Sequence, residues 1–209
     1  MKLDIHVHSA ERSWCAVATE REQIEAAMAH GLDGLVFTDH STLTPPEHLK
    51  RLNARVAPFR VYNGIEVTVR ENGRSEDLLV IGCADRRLEA WDWKYADLWR
   101  FARANGAFLS LCHPFRYADS VSVDVSRYPV DAVEARSINI RPELGPVITA
   151  FAQEHGLPLI CCSDSHTQRV TGLYFIELDS PPADERVLAE VLRHGNWRMG
   201  ENRAVMESL

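Results

Sequence analysis

Short apolar segments alternate with helix-like segments along the whole chain. The apolar runs "LDIHV", "LDGLVF", "FRVYNGIEVTV" and "EDLLVIGC" are followed by "AFLSLCH", "VDAVEA", "LPLICC" and "GLYFIEL", and amphipathic stretches such as "TEREQIEAAMAHG" separate many of them. This alternation is typical of βα units and predicts a mostly parallel sheet. About seven strands with intervening helices fit either a compact α/β barrel or a layered sheet, and the pattern alone does not separate the two.

The first helix has clear sequence signals at both ends. Thr19 and Glu22 have the spacing of a capping box, in which each side chain bonds to the main chain of the other residue. Gly31 follows the apolar stripe and is suited to the left-handed position after a helix. We therefore predict a helix that starts after Thr19 and ends before Gly31.

The composition is that of a soluble globular protein and fits a single domain over residues 1–209. Apolar residues make up 45% and charged residues 25% of the 209 positions. The net charge of -7 disfavours long nucleic acid and anionic membranes as partners, unless bound cations supply positive charge locally. No signal-peptide pattern opens the sequence and no apolar run approaches the roughly 20 residues of a membrane span, so we expect a cytoplasmic protein.

The five cysteines indicate neither a disulfide framework nor a zinc ribbon. Their number is odd and no CxxC pair occurs, so they are expected to remain thiols. They are Cys15, Cys83, Cys112, Cys161 and Cys162.

The nine histidines fall into two groups by position. His30, His155 and His194 each precede a glycine at a predicted helix end, where a cation favours the helix dipole, and they are expected to be structural. His48 lies in a polar helix and is expected to be solvated. The remaining histidines stand within or just after apolar strand runs, and these are His6, His8, His40, His113 and His166.

Carboxylates occupy similar places, at or near strand ends. Asp39, Glu66, Glu134 and Asp164 follow or lie within apolar runs, and Asp77 is expected to open the strand "DLLVIG". Residues at the carboxyl ends of parallel strands converge on one face of an α/β fold. Buried acids and imidazoles are costly unless they are paired or bind metal, so this set favours a metal centre over a pair of hydrogen-bonded histidines.

Mixed imidazole and carboxylate donors suit divalent Zn, Mn or Fe. The set contains more donors than one four-coordinate ion needs, and a carboxylate such as Glu66 can bridge two ions. We therefore expect two or three divalent metal ions.

The ordered motifs resemble those of the polymerase and histidinol phosphatase (PHP) family of metal-dependent phosphoesterases. "DIHVHS", "TDHST", "NGIEV", "CHPF", "VEARSIN" and "SDSH" are similar to successive motifs of that family over nearly the whole chain. The resemblance implies a distorted seven-stranded β/α barrel, related to the TIM barrel, with a two- or three-metal site at the carboxyl ends of its strands.

The resemblance also implies three metal sites. The first would consist of His6, His8, Glu66 and Asp164. The second would include His40 and His166. The third would use Glu66, His113 and Asp77, where many relatives have histidine in place of Asp77.

The resemblance gives each of two further acids two alternative roles. Asp39 would support a histidine by a hydrogen bond or act as an occasional ligand. For Glu134, the resemblance leaves a ligand role and a supporting role equally open.

The segment after His8 departs from the family pattern. Relatives place an aspartate or histidine a few residues further on, whereas this chain has "SAERSWC". Glu11 is the only acid there and its offset is short, while Ser13 and Cys15 are poor or different ligands. The second ion would then bind weakly, take a water in place of that ligand, or be absent.

The expected activity is hydrolysis of a small phosphate ester, either a phosphomonoester or a nucleotide, by metal-activated water. Asp39, His40 and Arg116 are the candidate catalytic residues. Arg116 follows the "HPF" motif and could hold a phosphate at two oxygens, although it could equally be a surface arginine. Arg12 and Arg136 are weaker candidates for the same role, with an ordinary salt bridge as the alternative.

Two other functions remain open from the sequence. The same metal centre could hydrolyse another ester or an amide, because polarised water also attacks carbonyl carbon. The missing ligand after His8 suggests instead a degenerate, non-catalytic metal-binding or regulatory module. The expected partner is a small phosphorylated substrate, and the sequence carries no signal of an oligomeric state.

Overall fold

The computed structural model describes residues 1–209, in which all nine strands belong to one mixed sheet. The strands are β1 (Lys2–Val7), β2 (Gly34–Phe37), β3 (Arg60–Glu71), β4 (Arg74–Ile81), β5 (Phe108–Leu111), β6 (Ala132–Arg136), β7 (Leu159–Cys161), β8 (Tyr174–Glu177) and β9 (Arg198–Glu201). The helices are α1 (Glu20–Ala29), α2 (Pro46–Val56), α3 (Tyr95–Ala104), α4 (Gly145–His155), α5 (Glu185–Arg193) and α6 (Arg203–Glu207).

The sheet is half parallel rather than mostly parallel, and it has nine strands rather than seven. Its order is β7-β6-β5-β4-β3-β2-β1-β8-β9. The pairs β1/β2, β2/β3, β5/β6 and β6/β7 are parallel, as the βα alternation predicts. The pairs β3/β4, β4/β5, β1/β8 and β8/β9 are antiparallel. The strict βα repeat of a TIM barrel is therefore absent.

A tight hairpin explains why β4 runs against its neighbours. Asn72 and Gly73 connect β3 to β4, and both have positive φ, 51° and 76°. Two residues with positive φ form the turn that matches the twist of a two-stranded ribbon, and Asn-Gly is its preferred sequence. The hairpin also moves the start of β4 to Arg74, so that Asp77 lies inside the strand instead of opening it.

The sheet curls until its β7 and β8 regions meet without forming a ladder. The thiol of Cys161 lies 3.1 Å from the carbonyl oxygen of Phe175, and the Ser163 hydroxyl donates to the Tyr174 carbonyl at 3.3 Å. The barrel is therefore nearly closed. Strand β9, which the hydrophobic pattern did not predict because most of its residues are exposed, adds to the outer edge of β8.

The helix ends follow the sequence signals. Both hydrogen bonds of the Thr19 and Glu22 capping box are present at the start of α1. His30 and His194 are the residues directly after α1 and α5, and His155 is the last residue of α4. The glycine after each of these histidines has positive φ, which confirms that they lie at helix ends.

Helix α5 packs against a buried apolar cluster that also contains residues of β1. Its residues Leu188 and Leu192 belong to the same buried cluster as Leu3 and Ile5 of β1. Cys112 and Cys162 also belong to this cluster, next to the acids described below. The close approach of α5 requires a glycine, because a Cβ on Gly82 would lie 2.4 Å from the Cβ of Ala189.

None of the helices combines the length and the apolar character that crossing a bilayer demands.

Candidate metal centre

The histidine pair of β1 projects into the centre of the barrel end, as its spacing predicts. The rings of His6 and His8 lie 4.9 Å apart, and each Nε2 approaches the same oxygen, Oε2 of Glu66, at 3.4 and 3.2 Å. His6 is the penultimate residue of β1 and Glu66 lies within β3. Two strands that are separated in the sheet by β2 therefore place their side chains in one pocket.

Four buried atoms that could ligate a metal ion, two nitrogens and two oxygens, face one another at the centre of this pocket. Asp164, which follows β7, places its Oδ1 at 3.3 Å from the Nε2 of His6 and at 3.3 Å from that of His8. These side chains are at most 1% exposed. None of the four atoms makes a hydrogen bond, and they are His6 Nε2, His8 Nε2, Glu66 Oε2 and Asp164 Oδ1.

A second group lies toward solvent and consists of three imidazoles. His8, His40 and His166 have donor atoms that all lie within 4.8 Å of one another. The His8 ring stacks on both of the others, at 4.7 Å from His40 and 4.3 Å from His166. His40 also brings its Nδ1 to 3.1 Å from Oε2 of Glu66. The His40 and His166 side chains are 26% and 23% exposed.

A third group uses the other oxygen of Glu66. The Nε2 of His113 lies 3.3 Å from Glu66 Oε1 and 3.9 Å from Asp77 Oδ2. Asp77 is held by Thr68, its partner across the β3/β4 ladder, whose hydroxyl donates to Oδ1 at 2.5 Å. Glu66 is thus shared by all three groups.

Glu134 contacts the far side of His6, away from the central atoms. Its Oε1 lies 3.5 Å from the Nδ1 of His6, whereas the central group uses Nε2. The main-chain N–H of His113 donates to Glu134 Oε2 at 2.5 Å, and the Cys162 thiol donates to Oε1 at 2.5 Å. Of the two roles left open by the sequence, this position favours support of the His6 ring over ligation at the centre.

Asp39 does not contact a histidine. It accepts hydrogen bonds from the Ser9 main-chain N–H at 2.7 Å, the Ser13 hydroxyl at 2.7 Å and the Arg12 Nε at 2.7 Å. The expected hydrogen bond to a histidine is replaced by Ser13, which stands between Asp39 and the His8 ring. Sequence reasoning had considered Ser13 only as a ligand.

Arg12 and His48 both pair with Glu20, in a chain of ion pairs that is buried at Arg12 and partly exposed at His48. Arg12 also pairs with Glu20, and the Nε2 of His48 lies 2.6 Å from the other Glu20 oxygen. Arg12 therefore makes a structural salt bridge, and His48 is paired rather than simply solvated. Two other candidates also have partners outside the three groups. Glu11, the candidate ligand after His8, accepts the N–H of Glu20 at 2.9 Å, and the exposed Arg136, a candidate phosphate-binding residue, lies 3.3 Å from Glu201.

A cavity of about 390 Å³ opens beside the third group, and Arg116 lines it together with Asp77 and His113. The Nη2 of Arg116 donates to Asn139 at 3.0 Å, and its Nη1 lies 3.9 Å from Asp164 Oδ2. Asn139 in turn donates to that same Asp164 oxygen at 2.6 Å. Asn139 lies in the quoted "VEARSIN" motif but was not singled out from the sequence, because a single asparagine in a loop gives no signal.

The two central acids are held in their charged forms. Burial alone would raise the pKa of Glu66, but the charge of His6 and the hydrogen bond from His113 hold it well below its usual range. For Asp164, burial is likewise outweighed by the charge of His6 and by the close contact with His8, and its pKa is lowered. Burial, reinforced by the charge of Glu66, raises the pKa of Asp77.

The inner and outer histidines respond in opposite directions. Burial alone would lower the pKa of His6 and of His113, but the neighbouring carboxylates outweigh this effect. The net result is a raised pKa for His6 and a pKa of about 9 for His113. For His166, burial and the charge of His8 lower the pKa to about 4, and burial also lowers the pKa of His40. His40 and His166 are therefore neutral at neutral pH, which is the form that binds metal.

Two of the site residues have an unusual backbone. His113 and Asp164 have φ values of 23° and 52°, a region that residues other than glycine seldom adopt. Each follows a strand by two or three residues, where the chain leaves the sheet. Such strain is typical of functional sites.

The donor set fits divalent cations. Buried carboxylate and imidazole atoms without hydrogen bonds carry a desolvation cost that a cation would remove. Nitrogen and carboxylate oxygen donors of this kind suit Zn, Mn or Fe(II). The unpartnered atoms of the central group, and not its charge alone, indicate a metal centre.

No family model matches the sequence, and no curated protein matches it. Solved structures share the fold. A candidate metal-dependent phosphoesterase from Bifidobacterium adolescentis aligns over 91% of this chain and 96% of its own, with a TM-score of 0.67 and 13% identity. PsfC from Pseudomonas syringae aligns over 88% of this chain and 83% of its own, with a TM-score of 0.62 and 18% identity.

An amidohydrolase from Chromobacterium violaceum, solved with bound sulfate and no metal, aligns over 95% of this chain and 98% of its own. Its TM-score is 0.64 and its identity to this chain is 16%. At these identities the similarity shows that the chain has the fold of these three proteins.

Proposed function

We propose that this protein is a divalent-metal-dependent phosphoesterase that hydrolyses a small phosphate ester, either a phosphomonoester or a nucleotide. The observation that carries the proposal is the central group of four buried nitrogen and oxygen atoms that make no hydrogen bond and could ligate a metal ion. A cavity lined by Arg116 lies beside this group. The sequence resemblance to the PHP family, and the fold shared with a candidate phosphoesterase, support the same reaction.

The residues that would hold the ions follow the three groups. His6, His8, Glu66 and Asp164 would hold the first ion. His8, His40 and His166 would contribute to a second, and Glu66, Asp77 and His113 to a third. Bound divalent cations supply activated water and neutralise the charge that develops on a phosphate during hydrolysis.

The remaining residues of the site bind and orient. Arg116 would clamp the phosphate, because its planar guanidinium lies at the cavity and matches two phosphate oxygens. Asn139 holds both Arg116 and Asp164, and so fixes the distance between the clamp and the centre. His40, whose side chain at the outer group is about one quarter exposed, could also contact the substrate. Asp39 is a positioning residue because it reaches the centre only through Ser13.

The size and charge of the site favour a small substrate. A cavity of about 390 Å³ accommodates a small phosphorylated molecule but not a duplex. The net charge of -7 would repel long nucleic acid.

Hydrolysis of an amide or of another carbon-centred ester is the second candidate, because one structure of this fold is an amidohydrolase. The same donor groups could polarise a carbonyl. The two reactions differ in the geometry of the attacked centre, so only a substrate panel separates them.

The test is to reconstitute the purified chain with Mn, Zn or Fe(II), count the ions per chain, and screen phosphomonoesters, phosphodiesters, nucleotides, carboxyl esters and amides. We expect two or three ions and turnover of a phosphomonoester or nucleotide. Turnover should be lost in His6→Ala and Asp164→Ala and kept in His194→Ala, which removes an exposed histidine at the end of α5.

Other outcomes would overturn the proposal. Turnover restricted to amides or carboxyl esters would establish the second candidate. A chain that binds its full complement of metal but turns over no member of the panel would be a non-catalytic metal-binding module.

A further inference from the structure

Ser13 lies at a point where three polar groups meet around one hydroxyl. It is 1% exposed, in the loop between β1 and α1, and the loop is fixed by the bond from the Ser13 N–H to the Ser9 carbonyl at 2.8 Å. Its Oγ lies 2.7 Å from Asp39 Oδ1, 3.1 Å from the main-chain nitrogen of His40 and 3.2 Å from the Nδ1 of His8.

Two of these three contacts have a fixed direction. Asp39 also pairs with the guanidinium of Arg12, and a carboxylate in such a pair only accepts hydrogen bonds. The single hydroxyl hydrogen of Ser13 therefore points to Asp39. The main-chain N–H of His40 is a donor and occupies one lone pair of the Ser13 oxygen.

The third contact is then determined. A hydroxyl has one hydrogen and two lone pairs, so after these two bonds Ser13 can only accept. His8 must consequently carry a hydrogen on Nδ1 and donate it to Ser13. In the neutral ring this leaves the lone pair on Nε2, the atom that faces Glu66 and Asp164 without a hydrogen bond.

We propose that Ser13 is a positioning residue that fixes the Nδ1–H tautomer of His8, with its own hydrogen directed by Asp39 and Arg12. The inference rests on the proposed metal site but not on the reaction. Ser13 would act without binding the ion, by presenting a preformed lone pair at Nε2 and by holding the ring at its angle.

The chain offers a matched control for this role. The Ser9 hydroxyl is also buried and also donates to Asp39, at 3.0 and 3.2 Å from its two oxygens. It makes no other hydrogen bond, and none to the His8 ring. Ser9→Ala and Ser13→Ala therefore remove the same group from the same carboxylate, and only Ser13→Ala removes the acceptor of His8.

The tautomer can be read in the full-length, metal-free protein by ¹⁵N–¹H correlation through two bonds in labelled histidine, at a pH where the ring is neutral. The His8 signals are assigned by their loss in His8→Gln. We expect wild type and Ser9→Ala to show Nδ1 as the protonated nitrogen. Ser13→Ala should lose this preference and populate the Nε2–H form.

A second measurement follows the metal. Zn²⁺ affinity, measured by competition with a chelator, should fall about 10- to 100-fold in Ser13→Ala, as is usual for loss of a group that orients a ligand. Ser9→Ala should lose less. Circular dichroism and the unfolding midpoint of each metal-free variant establish that it is folded.

Protonation of His8 at Nε2 in the wild-type protein would overturn the proposal, whether or not Ser13→Ala folds. An Nδ1–H form that persists in a folded Ser13→Ala protein would also overturn it. If the protein had no phosphoesterase activity, the tautomer and the Zn²⁺ affinity could still be measured, because neither measurement uses turnover.

Discussion

Replacing Glu66 by glutamine should remove most of the stabilisation that metal gives to this protein. Oε2 of Glu66 lies 3.4 Å from His6 Nε2, 3.2 Å from His8 Nε2 and 3.1 Å from His40 Nδ1, and Oε1 lies 3.3 Å from His113 Nε2. Glutamine keeps the shape but replaces one acceptor with an NH₂ donor and removes the charge. The substitution therefore affects all three groups at once.

The size of the effect follows from linkage. With free metal at 100 times the dissociation constant, one site stabilises the folded state by about 2.7 kcal/mol. Loss of a group that merely orients a ligand weakens affinity by about 10- to 100-fold, so loss of this shared carboxylate should reach at least the upper figure. At the same metal concentration the stabilisation then falls to about 0.4 kcal/mol.

The assay is thermal unfolding with and without Zn²⁺ or Mn²⁺. A change of 1 kcal/mol moves the melting temperature of a chain of this length by about 2–4 °C. We expect wild type to gain about 5–11 °C per occupied site, and Glu66→Gln to gain about 1–2 °C. Glu154→Gln, at an exposed glutamate of α4, should behave as wild type.

Equal metal-induced shifts in wild type and Glu66→Gln would refute the assignment of Glu66 as the shared donor. A wild-type protein with no shift would refute the metal centre itself.

Two other predictions concern the cavity and the fold. Arg116→Ala should raise the KM for the phosphate ester about tenfold without changing the metal content. This is the low end for a charge-assisted contact, because the Arg116 side chain is 31% exposed. Steady-state kinetics test this with Arg136→Ala, at a surface arginine paired with Glu201, as the control, and an unchanged KM would contradict the clamp. Gly82→Ala should destabilise the protein by about 2–5 kcal/mol, because the new Cβ clashes with Ala189 at 2.4 Å and φ is +93°. Gly31→Ala, where φ is +77° and nothing lies within 4 Å, should cost only about 1–2 kcal/mol in urea unfolding, and equal losses would show that the contact with α5 is not tight.

The residues of the candidate metal centre could be predicted from the sequence because their signal is local. His6 and His8 are two residues apart in a strand, and His113 and Asp164 directly follow apolar runs. A residue at the end of a buried strand has few places to point, so position in the pattern was enough to separate these histidines from those at helix ends.

The groups that support the centre could not be found in this way. Ser13 contacts His8 and Asp39 only because the loop after β1 folds back on itself. Asn139 and the pair of His48 with Glu20 likewise depend on contacts between distant segments. Their residue types are common in loops and helices, so no spacing distinguishes them.

The direction of β4 could have been predicted, but that of β8 could not. "ENGRS" contains the Asn-Gly signal of a hairpin between two alternating runs. Strand β8, by contrast, pairs with β1 from the opposite end of the chain, and β9 is too exposed for its pattern to indicate a strand.

The histidine side chains of the candidate metal centre differ in solvent exposure, and this difference predicts an order in which bound ions would exchange. His6 and His113 are at most 5% exposed and lie within or just after strands, while His40 and His166 stand on loops with about a quarter of their surface open. An ion at the outer position would exchange while the barrel stays folded, whereas an ion held by the buried His6 would be enclosed and would exchange more slowly. Chelators should therefore strip the centre in two kinetic phases, and the fast phase should report the three-histidine group alone.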